Sequence, residues 1–142
     1  MTRKLCIIMA LMTCMTVFAQ NTNTKVKHLT KAEFFKKVYN YEKNPTEWKY
    51  EGKKPCLIDF YASWCGPCKR LSPIIDELAE DFNSKVDVYK VNVDDEPELA
   101  NYFNIRTVPT LVFVPMNDMP KLVSGAYPKQ EIAHAIDTLL LK

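Results

Sequence analysis

The chain has 142 residues, of which 19 are Lys or Arg and 17 are Asp or Glu, so its formal net charge is only +2. A chain of this length is expected to fold around one core as a single domain. The charged side chains are interspersed and are not grouped into a basic patch, which gives no electrostatic basis for binding nucleic acid.

The first 19 residues have the pattern of a removable secretory signal. A basic pair at residues 3–4 precedes an apolar stretch over residues 5–18, and a small-residue Val-Phe-Ala site ends at Ala19. We therefore expect cleavage after Ala19, which leaves residues 20–142 as the mature domain. Export places this domain in the periplasm or another extracytoplasmic compartment, where conditions are oxidising.

Two alternatives stay open for this segment. An uncleaved membrane anchor needs roughly 18 to 20 apolar residues, and the stretch over residues 5–18 falls short of that length and is diluted by Thr13 and Thr16. A lipid anchor on Cys14 is the other alternative, although Thr13 stands where Gly, Ala or Ser is usual before a lipidated cysteine.

The first half of the domain predicts two strands separated by a helix and a loop. Residues 26–29 favour a short strand, and Thr30 with Glu33 makes the capping-box pattern that begins a helix. Residues 40–55 are rich in charges and contain Pro and Gly, which predicts a long surface loop. The apolar run over residues 56–61 then predicts a central, buried strand. The apolar face of the helix consists of Phe34, Phe35 and Val38.

The second half continues with further alternation of helices and strands. Apolar residues recur at helical spacing over residues 71–82, with Pro73 expected to kink the helix without ending it. Residues 86–93 predict a strand. A short helix is predicted to begin at Pro97, with the acidic residues 94–96 serving as its cap.

Residues 110–114 and 121–124 are predicted to form a hairpin, and residues 132–140 an amphipathic terminal helix. The complete order is strand-helix-strand-helix-strand-helix followed by a hairpin and a helix. This order predicts an α/β domain in which a mixed β-sheet is flanked by helices on both faces.

A Cys-x-x-Cys pair, Cys65 and Cys68, lies at the predicted strand-to-helix junction. Two cysteines at this spacing can close a small disulfide loop, and the N-terminus of a helix stabilises a thiolate through unpaired N–H groups and its dipole. This chemistry indicates thiol-disulfide exchange. The same spacing also occurs in zinc sites, which usually add a second pair or two histidines. Because His28 and His134 are isolated in sequence, we expect no metal and no other cofactor.

Three segments carry a resemblance to the thioredoxin family. They are residues 59–69 (Asp-Phe-Tyr-Ala-Ser-Trp-Cys-Gly-Pro-Cys-Lys), 90–94 (Lys-Val-Asn-Val-Asp) and 105–110 (Ile-Arg-Thr-Val-Pro-Thr), and Pro73 and Gly125 also match. The resemblance extends from about residue 26 to the end of the chain. It implies the thioredoxin fold and a protein thiol-disulfide oxidoreductase.

The resemblance also implies roles for individual residues. Cys65 is the attacking nucleophile, expected to be partly exposed, and Cys68 faces inward and resolves the mixed disulfide. Asp59 is the buried proton acceptor for Cys68, and burial is expected to raise its pKa. Lys90 lies where the family has a lysine that modulates this carboxyl group; the alternative is a lysine whose amine extends to solvent.

Pro109 matches the cis-proline of the family, which lies beside the cysteines and leaves the backbone of Val108 free to bind an extended substrate. Gly66 and Pro67 shape the active site between the cysteines. The flat apolar surface expected to accept protein substrates consists of Trp64, Pro67, Val108, Gly125 and Ala126.

Gly66 and Pro67 add no charge that would stabilise a thiolate, so the cysteine couple is expected to be reducing. We therefore predict a monomeric reductase of disulfides in exported proteins, supplied with electrons by a membrane thiol-disulfide carrier. A disulfide oxidase or isomerase and a non-catalytic binding module are the alternatives. The remaining mature-domain thiol, Cys56, is expected to be buried and inert, and Trp48 and Tyr50 to pack within the loop or to influence partner choice.

Overall fold

A computed structural model of the protein describes residues 26–142. The expected signal sequence and Cys14 lie outside these residues. None of the helices between residues 26 and 142 combines the length and the apolar content that a membrane-spanning helix requires. Its strands and helices are β1 (Lys27–His28), α1 (Lys31–Lys37), β2 (Cys56–Tyr61), α2 (Gly66–Asp81), β3 (Asp87–Asn92), α3 (Pro97–Tyr102), β4 (Thr110–Val114), β5 (Lys121–Ser124) and α4 (Lys129–Leu139).

The strands form a mixed sheet in the order β1-β3-β2-β4-β5. Strands β1, β3 and β2 are parallel, whereas β4 is antiparallel to β2 and β5 is antiparallel to β4. The parallel pairs require crossover connections, which the helices supply. The predicted central position of β2 is confirmed, because this strand pairs with β3 on one side and β4 on the other.

Helices cover both faces of the sheet, as predicted. Successive side chains of β2 point to opposite faces, so Leu57 packs in one core layer and Ile58 in the other. The layer on the side of Leu57 contains α2 and α4 through Leu71, Ile75, Leu78, Ile132 and Ile136. The opposite layer contains α1 and α3 through Phe34 and Leu99.

The predicted start of α1 is confirmed. Thr30 Oγ1 accepts a hydrogen bond from the Glu33 N–H at 3.3 Å, and the Glu33 carboxylate accepts one from the Thr30 N–H at 3.2 Å. Helix α2 continues through Pro73 to Asp81, so this proline does not end the helix.

Helix α3 begins at Pro97, as predicted, but the capping expected from the acidic residues 94–96 is confirmed only in part. Glu96 occupies the N-cap position but makes no side-chain capping hydrogen bond. Its carboxylate accepts a hydrogen bond from the Lys31 N–H at 3.0 Å, and the Asp94 carboxylate binds Trp64. Both carboxylates therefore accept hydrogen bonds from donors that are distant in sequence, and not from the first turn of α3.

Residues 40–55 contain no helix or strand, in agreement with the predicted loop. Their aromatic side chains pack onto the domain: the rings of Tyr39 and Trp48 lie 4.4 Å apart, and Trp48 and Tyr50 contact the core layer of α1 and α3. Packing therefore accounts for both aromatic residues of the loop.

The topology brings distant segments to one edge of the sheet. Strand β2 ends at Tyr61, directly before the cysteine pair, and its residue Phe60 pairs with Thr110 at the beginning of the antiparallel strand β4. The turn before β4 and the N-terminus of α2 consequently lie side by side.

Candidate active site

Cys65 and Cys68 are joined by a disulfide at the N-terminus of α2, with their Cα atoms 5.3 Å apart. Cys65 is the N-cap residue, and its Sγ accepts a hydrogen bond from the Cys68 N–H at 3.2 Å. A backbone donor and the positive end of the helix dipole therefore both act on Cys65 Sγ. This arrangement stabilises negative charge on that sulfur after the disulfide is reduced.

Cys65 is less exposed than the predicted, partly exposed nucleophile: only 4% of the residue is accessible, and Cys68 is also buried. Its Sγ lies 3.6 Å from the carbonyl oxygen of Val108, and Ala62 and Val93 complete the small cluster around the pair. The turn that carries Val108 covers the sulfur. The sequence position of Cys65 at a helix start gave no sign of this cover.

The turn before β4 contains a cis peptide bond between Val108 and Pro109, the isomer that the resemblance implied. The Pro109 carbonyl accepts a hydrogen bond from the Gly125 N–H at 2.9 Å. Gly125 has φ +119°, a conformation that L side chains rarely adopt, so glycine suits this position. The structure thus brings Val108, Pro109 and Gly125 to the cysteine pair, with Ala126 exposed next in the chain.

Trp64 stands beside the cysteines with 71% of its surface exposed. Its indole Nε1 donates a hydrogen bond to Asp94 Oδ2 at 2.9 Å, which orients the ring. A shallow cavity of about 150 Å³ runs between Trp64 and Val108, and Arg106 and Thr107 also line it. Asp94 was not among the predicted site residues, because an acidic residue at a helix start favours a capping role. Nothing local in the sequence indicates its contact with Trp64.

Asp59 is the buried carboxyl group of the central strand. The residue is only 1% exposed, and within the described residues its Oδ1 has no hydrogen-bond partner. Burial raises the pKa of Asp59 to about 6; the positive charge of Lys90 acts to lower this pKa, and the negative charge of Asp76 acts to raise it. The group is thus poised to exchange a proton near neutral pH.

Lys90 is the register partner of Asp59 on the neighbouring strand β3. Its ammonium neither extends to solvent nor pairs with Asp59 among the described residues: it donates to Ser72 Oγ at 2.7 Å and to Asp76 Oδ1 at 3.2 Å. The predicted coupling to Asp59 is therefore through the electric field and not through contact. Ser72 and Asp76 were missed, although their i, i+4 spacing on α2 places them on one helix face.

The other candidate groups lie apart from this cluster or have ordinary partners. Cys56 is buried at the start of β2, at the opposite end from the cysteine pair, and burial raises the pKa of its thiol to about 12. Between residues 26 and 142 no cluster of His, Cys, Asp or Glu has the makings of a metal site. His28 Nδ1 lies 3.3 Å from the Tyr61 hydroxyl, and His134 is exposed on α4.

The cysteine pair at the N-terminus of α2 lies under the turn that carries Val108, and the buried carboxyl group of Asp59, with its raised pKa, lies on β2, the strand that leads to the pair. Two thiols can transfer two electrons to another disulfide and close the bond between Cys65 and Cys68. The fold and the site together define a thiol-disulfide oxidoreductase.

Comparison with known proteins identifies the family. The family model described as Thioredoxin matches residues 25–138. The chain is 42% identical over 97 residues to a thioredoxin of Borreliella burgdorferi, covering 68% of this chain and 82% of that protein. It is 37% identical over 112 residues to a thioredoxin of Pyropia yezoensis, covering 79% and 94% respectively.

The chain is also 40% identical over 100 residues to the M-type chloroplastic thioredoxin of Spinacia oleracea, covering 68% of this chain and 55% of that protein. The chain belongs to the thioredoxin family. It is a thioredoxin-type protein-disulfide reductase, which confirms the predicted fold, family and class of enzyme.

Proposed function

We propose that this reductase works outside the cytoplasm, where it reduces disulfide bonds in exported proteins and is itself re-reduced by a membrane thiol-disulfide carrier. The observation that carries the proposal is the combination of a signal-like segment over residues 1–19 with a reducing type of active site. Gly66 and Pro67, between the cysteines, place no charged side chain beside the sulfurs. A reductase in an oxidising compartment needs electrons from elsewhere, which is why a carrier is required.

In the proposed cycle, the Cys65 thiolate attacks one sulfur of a substrate disulfide. A mixed disulfide forms with Cys65, and the other substrate sulfur leaves as a thiolate. Cys68 then attacks Cys65 Sγ, the second substrate sulfur leaves as a thiolate, and the Cys65–Cys68 disulfide closes. Two electrons pass to the substrate in total, and the substrate thiolates take up protons.

Asp59 accepts the proton that Cys68 loses before its attack. Two features support this role: the carboxyl group lies on the face of β2 that packs against α2, the helix that carries Cys68, and its pKa of about 6 is close to working pH. A carboxyl group with its usual pKa near 3.8 would be a much weaker base.

Protein substrates bind at the apolar surface beside the cysteines. The exposed ring of Trp64 supplies contact area, and the backbone N–H of Val108, which donates no backbone hydrogen bond among the described residues, can pair with an extended substrate segment. Pro67, Gly125 and Ala126 continue this surface without a charged side chain.

A trapping experiment tests the substrate class. Cys68→Ser blocks resolution, so substrates remain attached to Cys65 through a disulfide that reducing agent releases. Cys65→Ser is the matched control and should trap nothing at residue 65. Exported proteins among the released partners would support the proposal, whereas exclusively cytoplasmic partners would contradict it.

Two measurements in cells test the location and the electron supply. N-terminal sequencing of the protein should find Gln20 as the first residue. Loss of the membrane thiol carriers should leave the Cys65–Cys68 pair oxidised. An intact N-terminus in the cytoplasm, or a pair that stays fully reduced without any carrier, would contradict the proposed setting.

A further inference from the structure

We propose that Ser72 and Asp76 are positioning residues that hold the Lys90 ammonium away from Asp59 and thereby keep Asp59 able to accept a proton. The inference deepens the proposed function, because it rests on Asp59 as the base of the cycle. It concerns side chains that neither touch the substrate nor contribute to the cysteine pair.

The buried Lys90 ammonium has two alternative sets of partners: Ser72 and Asp76 on α2, and Asp59 on the neighbouring strand β2. Asp59 and Lys90 are direct register partners on parallel strands, so their side chains leave the sheet on the same face, toward α2. The ammonium is bound by Ser72 and Asp76, one helical turn apart on α2, at 2.7 and 3.2 Å. Asp59 Oδ1 is buried without a hydrogen-bond partner in the described part of the chain.

The consequence follows from charge. Lys90 is 7% exposed and cannot leave its ammonium buried without partners. If α2 did not bind it, the unpartnered carboxyl group of its register partner Asp59 would be an alternative anion on the same face of the sheet. An opposite charge in contact lowers a carboxyl pKa by about 1 to 3 units, and such a carboxylate would no longer take up a proton near neutral pH.

Apart from Lys90 and Asp76, the groups named here around Asp59 are apolar or uncharged. Strand β4 places the apolar Leu111 opposite Asp59, and α4 contributes apolar Ile132 and Ile136 to the same layer. Tyr61, on the same strand as Asp59, has a raised pKa because of burial and is neutral. Among the described residues, the charges that act on Asp59 are those of Lys90 and Asp76.

The pKa of Asp59 in the oxidised full-length chain, followed by NMR of its carboxyl carbon, tests the inference. Asp76→Asn should lower this pKa by about one unit, the low end of the effect of a close cation. Glu77→Gln is the matched control, because Glu77 is the next residue of α2 but binds Lys129 at 2.9 Å. Equal Asp59 pKa values in these two variants would overturn the inference.

A second comparison separates positioning from the direct field of Asp76. In a Lys90→Met background, the Asp76→Asn change should move the Asp59 pKa much less than it does when Lys90 is present. An undiminished shift would mean that Asp76 acts through its own charge, which would overturn the positioning role. Ser72→Ala leaves every charge in place and should also lower the Asp59 pKa, whereas Ser72→Thr, which keeps the hydroxyl, should restore it.

The pH profile of disulfide reduction distinguishes this inference from the proposed function. If Asp59 is the base, the acid limb of the profile should move to lower pH in Asp76→Asn by the same amount as the Asp59 pKa. A shifted pKa with an unchanged profile would support the positioning of the ammonium and would refute Asp59 as the base of the cycle.

Discussion

The backbone N–H of Cys68 donates a hydrogen bond to Cys65 Sγ at 3.2 Å. This contact distinguishes the two sulfurs, because among the described residues a backbone amide of the first helical turn donates to Cys65 Sγ and none donates to Cys68 Sγ. The residue that begins the helix is therefore the one on which negative charge is stabilised.

Selective alkylation should reveal this difference. In the reduced native protein at neutral pH, a limiting amount of iodoacetamide is expected to modify Cys65 first, because its sulfur is stabilised as a thiolate. Cys56 should stay unmodified, since it is fully buried and its thiol pKa is raised to about 12. Peptide mapping by mass spectrometry measures both sites. Denatured protein is the control, in which Cys56 should react; comparable labelling of Cys56 in the native protein would contradict the account.

Replacing Asp59 should make the protein more stable, in a pH-dependent way. Burial raises the folded-state pKa from the usual 3.8 to about 6, so the folded form binds the proton more tightly than the unfolded chain. Stability should therefore fall as pH rises through this window, by roughly 3 kcal/mol in total. Asp59→Asn removes the titrating charge, so this variant should exceed the parent in stability at pH 7.5.

Guanidinium unfolding at pH 7.5 and at pH 3.5 measures this gain, which should largely vanish at the lower pH because the carboxyl group is then mostly protonated in both states. Asp137→Asn, at an exposed position of α4, is the matched control and should behave like the parent. A gain of the same size at both pH values would show that the charge of Asp59 is not its source.

Trp64→Ala should impair reduction of protein disulfides specifically. The ring is 71% exposed beside the cysteines and supplies contact area to a large substrate. A lost aromatic contact in an interface costs about 1 kcal/mol or more, which corresponds to a decrease in kcat/KM of at least about fivefold. A small aromatic disulfide reduced at the unchanged rate is the control. Equal losses for protein and small substrates would instead indicate damage to the cysteine pair.

Gly125→Ala should destabilise the domain. An alanine at φ +119° is strained, and its Cβ would lie 3.3 Å from the Tyr127 ring. Strain of this kind costs about 1 to 3 kcal/mol. Gly66→Ala is the matched control for thermal unfolding, because its added Cβ would find no neighbour closer than 3.9 Å. Equal Tm values for the two variants would contradict the role given to the Gly125 backbone.

The elements of the fold were predictable because their signals are local. Thr30 and Glu33 mark the beginning of α1 within one turn, and the run of β2, which is apolar except for Asp59, indicates burial on both faces. The cysteine pair was predictable for the same reason, since Cys65 and Cys68 lie within one turn of α2.

The contacts that the sequence did not reveal are between distant segments. Asp94 binds the Trp64 indole, and the Lys90 ammonium selects Ser72 and Asp76 instead of its register partner. The cover over Cys65 comes from the turn at Val108. Each of these depends on how helices and turns pack against the sheet, which a pattern along one segment does not encode.

The reduction potential of the Cys65–Cys68 couple tests the central claim most directly. Purified protein would be equilibrated with glutathione buffers over a range of ratios, and the fraction of disulfide measured at each. If the protein is a reductase, we expect a reduction potential of about −270 mV, the value for thioredoxin. A reduction potential of about −120 mV, as in a strongly oxidising family member, would contradict the account and would make the protein a donor of disulfides.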